Sequence, residues 1–247
     1  MTDKRARVKR IFDGIAFRYD FLNHLLSFGV DHYWRRKALE LSKVTSDSTL
    51  LDVACGTGDF AIEAKKQGVQ KIFGADFSHN MLRLFKEKSG WINGNSVQMT
   101  AEQMPFKDNS FTNIIVAFGV RNFYDIGAGF SSFFRVLSEN GKATILEFQM
   151  PENKIFKSLY KFYFKKILPL IGRMISKDKE AYKYLPESVE EFDEKINLEE
   201  LLKAAGFKKI ESYSLTIGIV TVFIAEKWLS GYSNNYFAQR FNIHKPY

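Results

Sequence analysis

Leu50-Leu51-Asp52-Val53-Ala54-Cys55-Gly56-Thr57-Gly58-Asp59 is the stretch on which the fold turns. A short apolar run ends in two closely spaced glycines and leads into the amphipathic segment Ala61–Gln67, so the stretch predicts a strand, a tight turn and a helix. Gly56 and Gly58 let the backbone bend sharply and bring it close to a ligand with no side chain between. A dinucleotide fingerprint would place a third glycine where Ala61 stands, and the lysine and hydroxyl residue of a P-loop do not follow. The turn is therefore not read as a phosphate cradle.

Outward from this turn, short apolar runs alternate with amphipathic ones, the pattern of repeated βα units around a mostly parallel sheet. Strands are expected at Leu50–Ala54, Lys71–Asp76, Val97–Met99, Asn113–Ala117, Ala143–Phe148, Lys209–Leu215 and Thr221–Ala225. The clearest helices are Ala61–Gln67, Asn80–Lys88, Ala128–Leu137 and Leu198–Ala205, the last closed by Gly206 in a left-handed cap. The fold class is α/β, a doubly wound seven-stranded sheet in one domain over residues 1–227. A helical N-terminal segment, 1–48, and an insertion, 154–192, fall outside the rhythm and are expected to cover the substrate site, since such additions follow strand carboxyl ends in open α/β sheets. The tail 228–247 shows no clear periodicity.

Acidic residues at both ends of the glycine turn, Asp52 and Asp59, would repel a pyrophosphate and suit a ligand carrying an ammonium and a sulfonium, as the methionine end of S-adenosylmethionine does. Asp76, ending the second strand, is placed to accept hydrogen bonds from both hydroxyls of a ribose. A competing role, capping the helix that begins near Asn80, can be met by Ser78 instead. Thr100-Ala101-Glu102 stands where an adenine edge would lie.

Composition bounds the rest. At 247 residues with 45% hydrophobic and 26% charged content, the chain can bury one large core. No apolar run approaches the ~20 residues a bilayer span needs. The basic start Lys4–Arg10 is not followed by the apolar stretch of a signal peptide and is read as mature sequence. A single cysteine, Cys55, excludes an internal disulfide and suits a reducing cytoplasm. The four histidines show no metal-ligand spacing, and no metal is expected; His24 and His32 are read as packing or capping residues before bases. A net charge of +8 favours contact with something anionic, whether nucleic acid, a lipid surface or a charged substrate.

Several segments together resemble the ubiquinone/menaquinone C-methyltransferase family: Phe12–Asp20, Leu26–Val30, the Cys55–Asp59 turn, Ala101–Phe106, Ala117–Asn122, Leu146–Phe148, Leu168-Pro169 and Ala181–Ser188. The resemblance spans roughly Val8 to Lys227, and the Tyr19-Asp20, Arg121-Asn122 and Tyr184-Leu185 segments are its most specific parts. It implies a class I S-adenosylmethionine-dependent methyltransferase that methylates a ring carbon of a polyprenylated quinol, as in converting demethylmenaquinol to menaquinol. Thr57, Asp76, Thr100 and Ala101 are then expected at the cofactor, along with Asp52, Gly56, Gly58, Phe77 and Ala117. Departures from the family pattern are Ala117 for a small hydroxyl residue, Cys55 for glycine, Thr112 for aspartate, the Ser138–Gly141 turn, and Gly218–Ala225, which lacks the family's histidine.

On this reading the catalytic group is Arg121, Asn122 and Tyr19. A fixed cation lowers the pKa of a phenol beside it and so raises the nucleophilicity of the ortho carbon. Asn122 orients the acceptor, and a water held by Arg121 and Tyr19 takes the proton. The bland alternatives are a surface ion pair for Arg121 and a core aromatic for Tyr19. The segment Lys154–Lys179 holds eight Lys or Arg and one acidic residue among aromatics, with Lys154, Lys157, Lys161 and Lys165 on one helical face. Such a helix can lie on an anionic membrane at the inner face and receive a lipid-tailed substrate, or simply pack on the domain. The rival functional classes are an RNA methyltransferase, a basic RNA-binding protein, and a non-enzymatic scaffold; nucleic acid is disfavoured because no RNA-binding module is recognisable. A homo-oligomer is compatible with the sequence.

Overall fold

A computed structural model describes residues 2–15, 17, 20, 23–24, 27–167 and 179–228. Parallel pairing joins β1 (Thr49–Val53) to β2 (Lys71–Asp76) and β4 (Phe111–Ala117), β2 to β3 (Ser96–Gln98), and β4 to β5 (Leu137–Phe148). At the other edge β7 (Val220–Glu226) runs antiparallel to both β5 and β6 (Lys209–Leu215). The spatial order β3-β2-β1-β4-β5-β7-β6 makes a seven-stranded mixed sheet, with one strand reversed.

All seven strands occur where the sequence places them, within a few residues except for β5. That strand begins at Leu137 because Leu137 already pairs with Phe111, and the ladder resumes at Lys142 opposite Asn113 after an irregularity. The predicted helix Ala128–Leu137 therefore stops at Val136, and the chain passes straight from helix to strand.

Alternating side chains send apolar surface to both faces of the sheet, which is why helices cover both. One face holds α5 (Ile126–Val136) and α8 (Leu198–Ala204), with Phe130, Phe133, Leu202 and Phe207 packed on Ile114, Val116 and Ile145. The other holds α2 (Val30–Ser42), α3 (Asp59–Lys66) and α4 (His79–Lys88), with Trp34, Leu39, Phe60, Leu82 and Phe85 on Leu50, Ile72 and Ile115. Side-chain caps fix the helix starts: Ser78 for α4, Asp125 for α5 and Asn197 for α8. Gly206, at φ +108°, follows α8 as the expected left-handed residue.

The two additions lie together at the carboxyl end of the strands. α1 (Thr2–Ile15) contacts α4 and α7 (Lys179–Lys195). α6 (Lys154–Phe162) is capped by Asn153 and continues into a π turn over Tyr163–Ile167. A separate small core of Met150, Tyr160, Phe164 and Val189 seats α6 and α7 against the sheet end. Residues 168–178 and 229–247, and with them most of the predicted tail, lie outside the described residues. Among the described residues no helix is long and apolar enough to cross a membrane.

Candidate functional site

Ligand crevices in doubly wound sheets open where strand order reverses, here between β1 and β4. The residues just past these two strands, Ala54 (φ +53°) and Phe118 (φ +57°), both take the left-handed conformation that side chains rarely adopt. Such strain in a non-glycine backbone persists where the surroundings enforce it. Between them lies a cleft of about 80 Å³ lined by Gly56, Asp76, Phe77, Thr100, Ala101, Ala117 and Asn122, and closed by Val8 and Phe12 of α1.

The Asp76 carboxylate accepts the backbone N–H groups of Gly56 (2.9 Å) and Ser78 (2.8 Å). Burial pushes its carboxyl up to about 6 despite these hydrogen bonds, and the Asp13 carboxylate nearby adds to the rise. Ser78 caps α4 through Met81 N–H and donates its hydroxyl to Asp13 (2.6 Å), so Asp76 is not the cap. A buried carboxylate beside a glycine turn and an apolar slot is a donor set that fits the vicinal hydroxyls and flat base of an adenosyl group.

Six of the nine expected cofactor residues line this cleft; Asp52, Thr57 and Gly58 do not, and instead build its loop. The buried Asp52 side chain turns into α3 and accepts Ala61 N–H at 3.0 Å, and burial raises its carboxyl well above the usual range. The Thr57 hydroxyl donates to Asp20. Gly58, at φ +89°, lies against the ring of Phe85. Asp59 likewise pairs with Lys88, with Arg35 (3.8 Å) and, through Nε2, with His24 (3.5 Å). The two acidic residues flanking the turn, expected to face a cationic ligand, are therefore engaged by α3 and by neighbouring cations.

A second cavity, of about 550 Å³, adjoins the first, and Phe12 and Phe118 line both. Its walls come from α1 and α2 (Ile11, Trp34, Arg35), from Phe148 and Arg121 at the sheet end, from Phe156 to Phe164 on α6 and the π turn, and from Tyr184 and Leu185 on α7. Phe118 stacks on Phe148 at 4.3 Å between ring centres and meets Trp34 edge-to-face at 6.0 Å, so aromatic packing holds the Phe118 side of the partition between the cavities. The lining is overwhelmingly apolar, in a size range suited to drug-sized ligands. Phe28, Leu159, Phe162 and Ile217, which line it, are all more than half exposed, as is Ile155 on the same helix as Leu159.

Arg121 lies on a 3₁₀ turn just past β4 and faces this second cavity. It is buried and not a surface ion pair: its Nη1 donates to Glu147 Oε1 (2.7 Å) and to the Phe118 carbonyl, and its guanidinium lies over the Phe148 ring. Asn122 faces the first cavity, and its Oδ1 accepts the Tyr184 hydroxyl at 2.7 Å, so a residue of each cavity meets at their junction. Tyr19, the third expected catalytic residue, lies outside the described residues. His24 stacks on His32, and with Asp31 they form the one cluster of possible metal ligands among the described residues. Asp31 there is already bound by Arg35, Ser27 (2.7 Å) and His24 (2.8 Å).

Glu147, Phe118 and Tyr184 were each within segments quoted for the family resemblance, but nothing in their own spacing marks them as site residues. Their signal is position: Phe118 follows one central strand, Glu147 lies near the end of the next, and Tyr184 sits on the inserted helix.

The ubiE/COQ5 methyltransferase family model matches residues 1–227. The chain is 44% identical over 233 residues to the ubiquinone/menaquinone biosynthesis C-methyltransferase UbiE of Geotalea uraniireducens, covering 92% of this chain and 99% of that one. It is 42% identical over 230 residues to the demethylmenaquinone methyltransferase of Chlorobaculum tepidum, covering 92% and 94%. Among solved structures, a putative S-adenosyl-L-methionine-dependent methyltransferase of Methanococcus maripaludis shares the fold at a TM-score of 0.61 and 21% identity, over 88% of this chain and 94% of that one. The glycine turn, the switch-point cleft and the match over nearly the whole described length agree: this chain belongs to the ubiE/COQ5 methyltransferase family.

Proposed function

We propose that the chain catalyses S-adenosylmethionine-dependent C-methylation of a polyprenylated quinol, demethylmenaquinol foremost, with the acceptor ring in the 550 Å³ cavity. The observation that carries this reading is the meeting of a large apolar cavity with the cofactor cleft across Phe12 and Phe118. S-adenosylmethionine, held by Gly56, Asp76, Phe77, Thr100, Ala101 and Ala117, supplies an electrophilic methyl group when bound. The segments 1–48 and 154–192 act as cover and lid within one methyltransferase unit.

A ring carbon becomes nucleophilic once the adjoining hydroxyl loses its proton and the charge spreads to the ortho position. S-adenosylmethionine, when bound, would supply the methyl: as the ring carbon gained it, the sulfur–methyl bond would break, the sulfur would keep the bonding pair and leave as a neutral thioether, and the carbon's own proton would leave as aromaticity returned. Arg121, fixed by Glu147 and the Phe118 carbonyl, presents an oriented guanidinium to the developing oxyanion. Asn122, held by Tyr184, orients the ring at the junction, and a water held by Arg121 and Tyr19 accepts the proton. Holding both reactants in line contributes up to about 7–11 kcal/mol of the barrier reduction. Incubation with demethylmenaquinol and S-adenosylmethionine labelled in the methyl group is expected to place label on the ring carbon; label on RNA and none on the quinol would overturn the reading.

The same geometry supports peripheral seating of a cytoplasmic protein on an anionic membrane. Leu159 and Phe162, which line the cavity, are exposed, and so are Ile155 and Lys154 on the same helix, with Lys157 half-buried. The basic face is smaller than its sequence suggests, because Glu190 binds both Lys161 (2.6 Å) and Lys165 (2.9 Å). Burying a large apolar side chain stabilises by about 1.5–3 kcal/mol. Flotation with phosphatidylglycerol vesicles is expected to recover the protein, and the Ile155→Asp, Leu159→Asp double variant to bind about tenfold more weakly or worse. Equal recovery of both proteins would sink the membrane assignment.

A further inference from the structure

Thr216, Ile217, Gly218 and Ile219 join β6 to β7, and the first three stand at φ +49°, +58° and +88°. A left-handed backbone brings Cβ against the following carbonyl, and for a β-branched residue such as threonine or isoleucine it is a genuine outlier. Glycine or asparagine makes such a turn without that cost. The surroundings hold the turn: the Thr216 hydroxyl accepts the Nε1–H of buried Trp34 at 2.7 Å, the Thr216 carbonyl accepts Ile219 N–H at 3.2 Å, and the Ile219 carbonyl accepts Gln149 N–H at 3.0 Å. Thr216 thus spends its side chain on the bond to Trp34. Ile217 belongs to none of the hydrophobic cores of the described residues, and 62% of its surface is accessible. Its side chain lines the larger cavity and takes no part in the cofactor cleft. Residues held in sparsely populated backbone conformations cluster at ligand clamps, and packing within the fold does not account for an isoleucine at this position.

We propose that Ile217 is a specificity-determining contact for the apolar chain of the acceptor, set at the cavity by a strained turn so that chain and side chain bury each other. This rests on the reading of the 550 Å³ cavity as the acceptor site. The reacting ring carbon has to reach the methyl donor where Phe12 and Phe118 wall both cavities, and Ile217 lines only the larger one. The part of the acceptor that it meets is therefore the part remote from the reaction. Phe28, Leu159 and Phe162 line the same cavity and are also more than half exposed, so the wall offered to the chain is apolar and largely uncovered by the protein itself. An apolar contact made equally in the ground state and the transition state shows in KM and leaves kcat alone.

Methyl transfer by the intact protein to two naphthoquinols, one bearing a chain of two isoprene units and one bearing no chain, tests this. Ile217→Asn suits a left-handed turn and carries no apolar surface. It is expected to raise KM for the chain-bearing acceptor about tenfold, the scale of burying one aliphatic side chain, with kcat unchanged and the chainless acceptor unaffected. Because the substitution relieves the backbone, its melting temperature is expected to equal or exceed that of the wild type. Ile217→Leu keeps the apolar surface and is expected to keep the preference for the chain. Equal effects of Ile217→Asn on both acceptors, or none on either, would overturn the chain contact and leave the cavity assignment standing, as would loss of the preference in Ile217→Leu. A lower melting temperature in Ile217→Asn would overturn it too, by showing that the isoleucine serves the fold. Methylation of neither naphthoquinol by the wild type would instead remove the acceptor-site reading, and the proposal with it.

Discussion

Arg121→Ala is expected to lower turnover by at least about 100-fold and, in the same variant, to cost about 3–5 kcal/mol of stability. The first effect follows from its place: the guanidinium lines the acceptor cavity next to Asn122. The second follows from Glu147, whose side chain is 0% exposed and receives Arg121 Nη1 at 2.7 Å. Removing the cation leaves that carboxylate in the interior with backbone N–H partners alone, Phe148 at 3.1 Å among them, and a buried charge without its counter-ion is far costlier than the pair was beneficial. Loss of activity in the single variant is thus ambiguous between chemistry and folding. The double variant Arg121→Met, Glu147→Leu separates them, since apolar residues of similar size often replace a buried pair without loss of stability. Urea unfolding of the double variant should recover most of the wild-type midpoint, while methyl transfer remains absent. Recovered activity would remove Arg121 from the chemistry, and an unrecovered midpoint would deny the ion pair its structural weight.

Gly58→Ala comes next in size, at about 2–5 kcal/mol of stability, together with loss of measurable S-adenosylhomocysteine binding. A Cβ built on Gly58 would fall 2.1 Å from the Phe85 ring, which is fully buried and meets Trp91 edge-on. That burial and the Trp91 contact hold the ring in place, and its other edge reaches toward Gly74, where a Cβ would fall 2.9 Å from it. Forced overlap in a packed core costs about 1–3 kcal/mol, and the left-handed backbone at φ +89° adds about 1–2 kcal/mol. Gly68 is the natural control: it has φ +97° and nothing within 4 Å of its notional Cβ, so Gly68→Ala should show the backbone cost alone. If both variants unfold at the same denaturant concentration, the contact with Phe85 is not what makes residue 58 a glycine.

Much of this fold can be read from periodicity, because each strand is an apolar run bounded by turns and each core helix carries its own cap. The transition at Val136–Leu137 was not legible: helix and strand abut there with no glycine or proline between, and only the pairing of Leu137 with Phe111 sets the boundary. The candidate site divides along similar lines. Gly56, Asp76 and Thr100–Ala101 are readable since each lies at or just past the end of a strand, and strand ends converge on one crevice. Asp52 was read as facing a ligand, but a residue within a strand can point to either face, and this one turns to Ala61 N–H. The arginine at position 121 was legible as a cation near the acceptor, while its partner 26 residues away was not, for pairing between strand ends depends on sheet order.

Phe12 helps to wall both cavities. A change at this one side chain therefore bears on the donor and the acceptor compartments at once, and the Ser78–Asp13 hydrogen bond ties the helix that carries it to the start of α4.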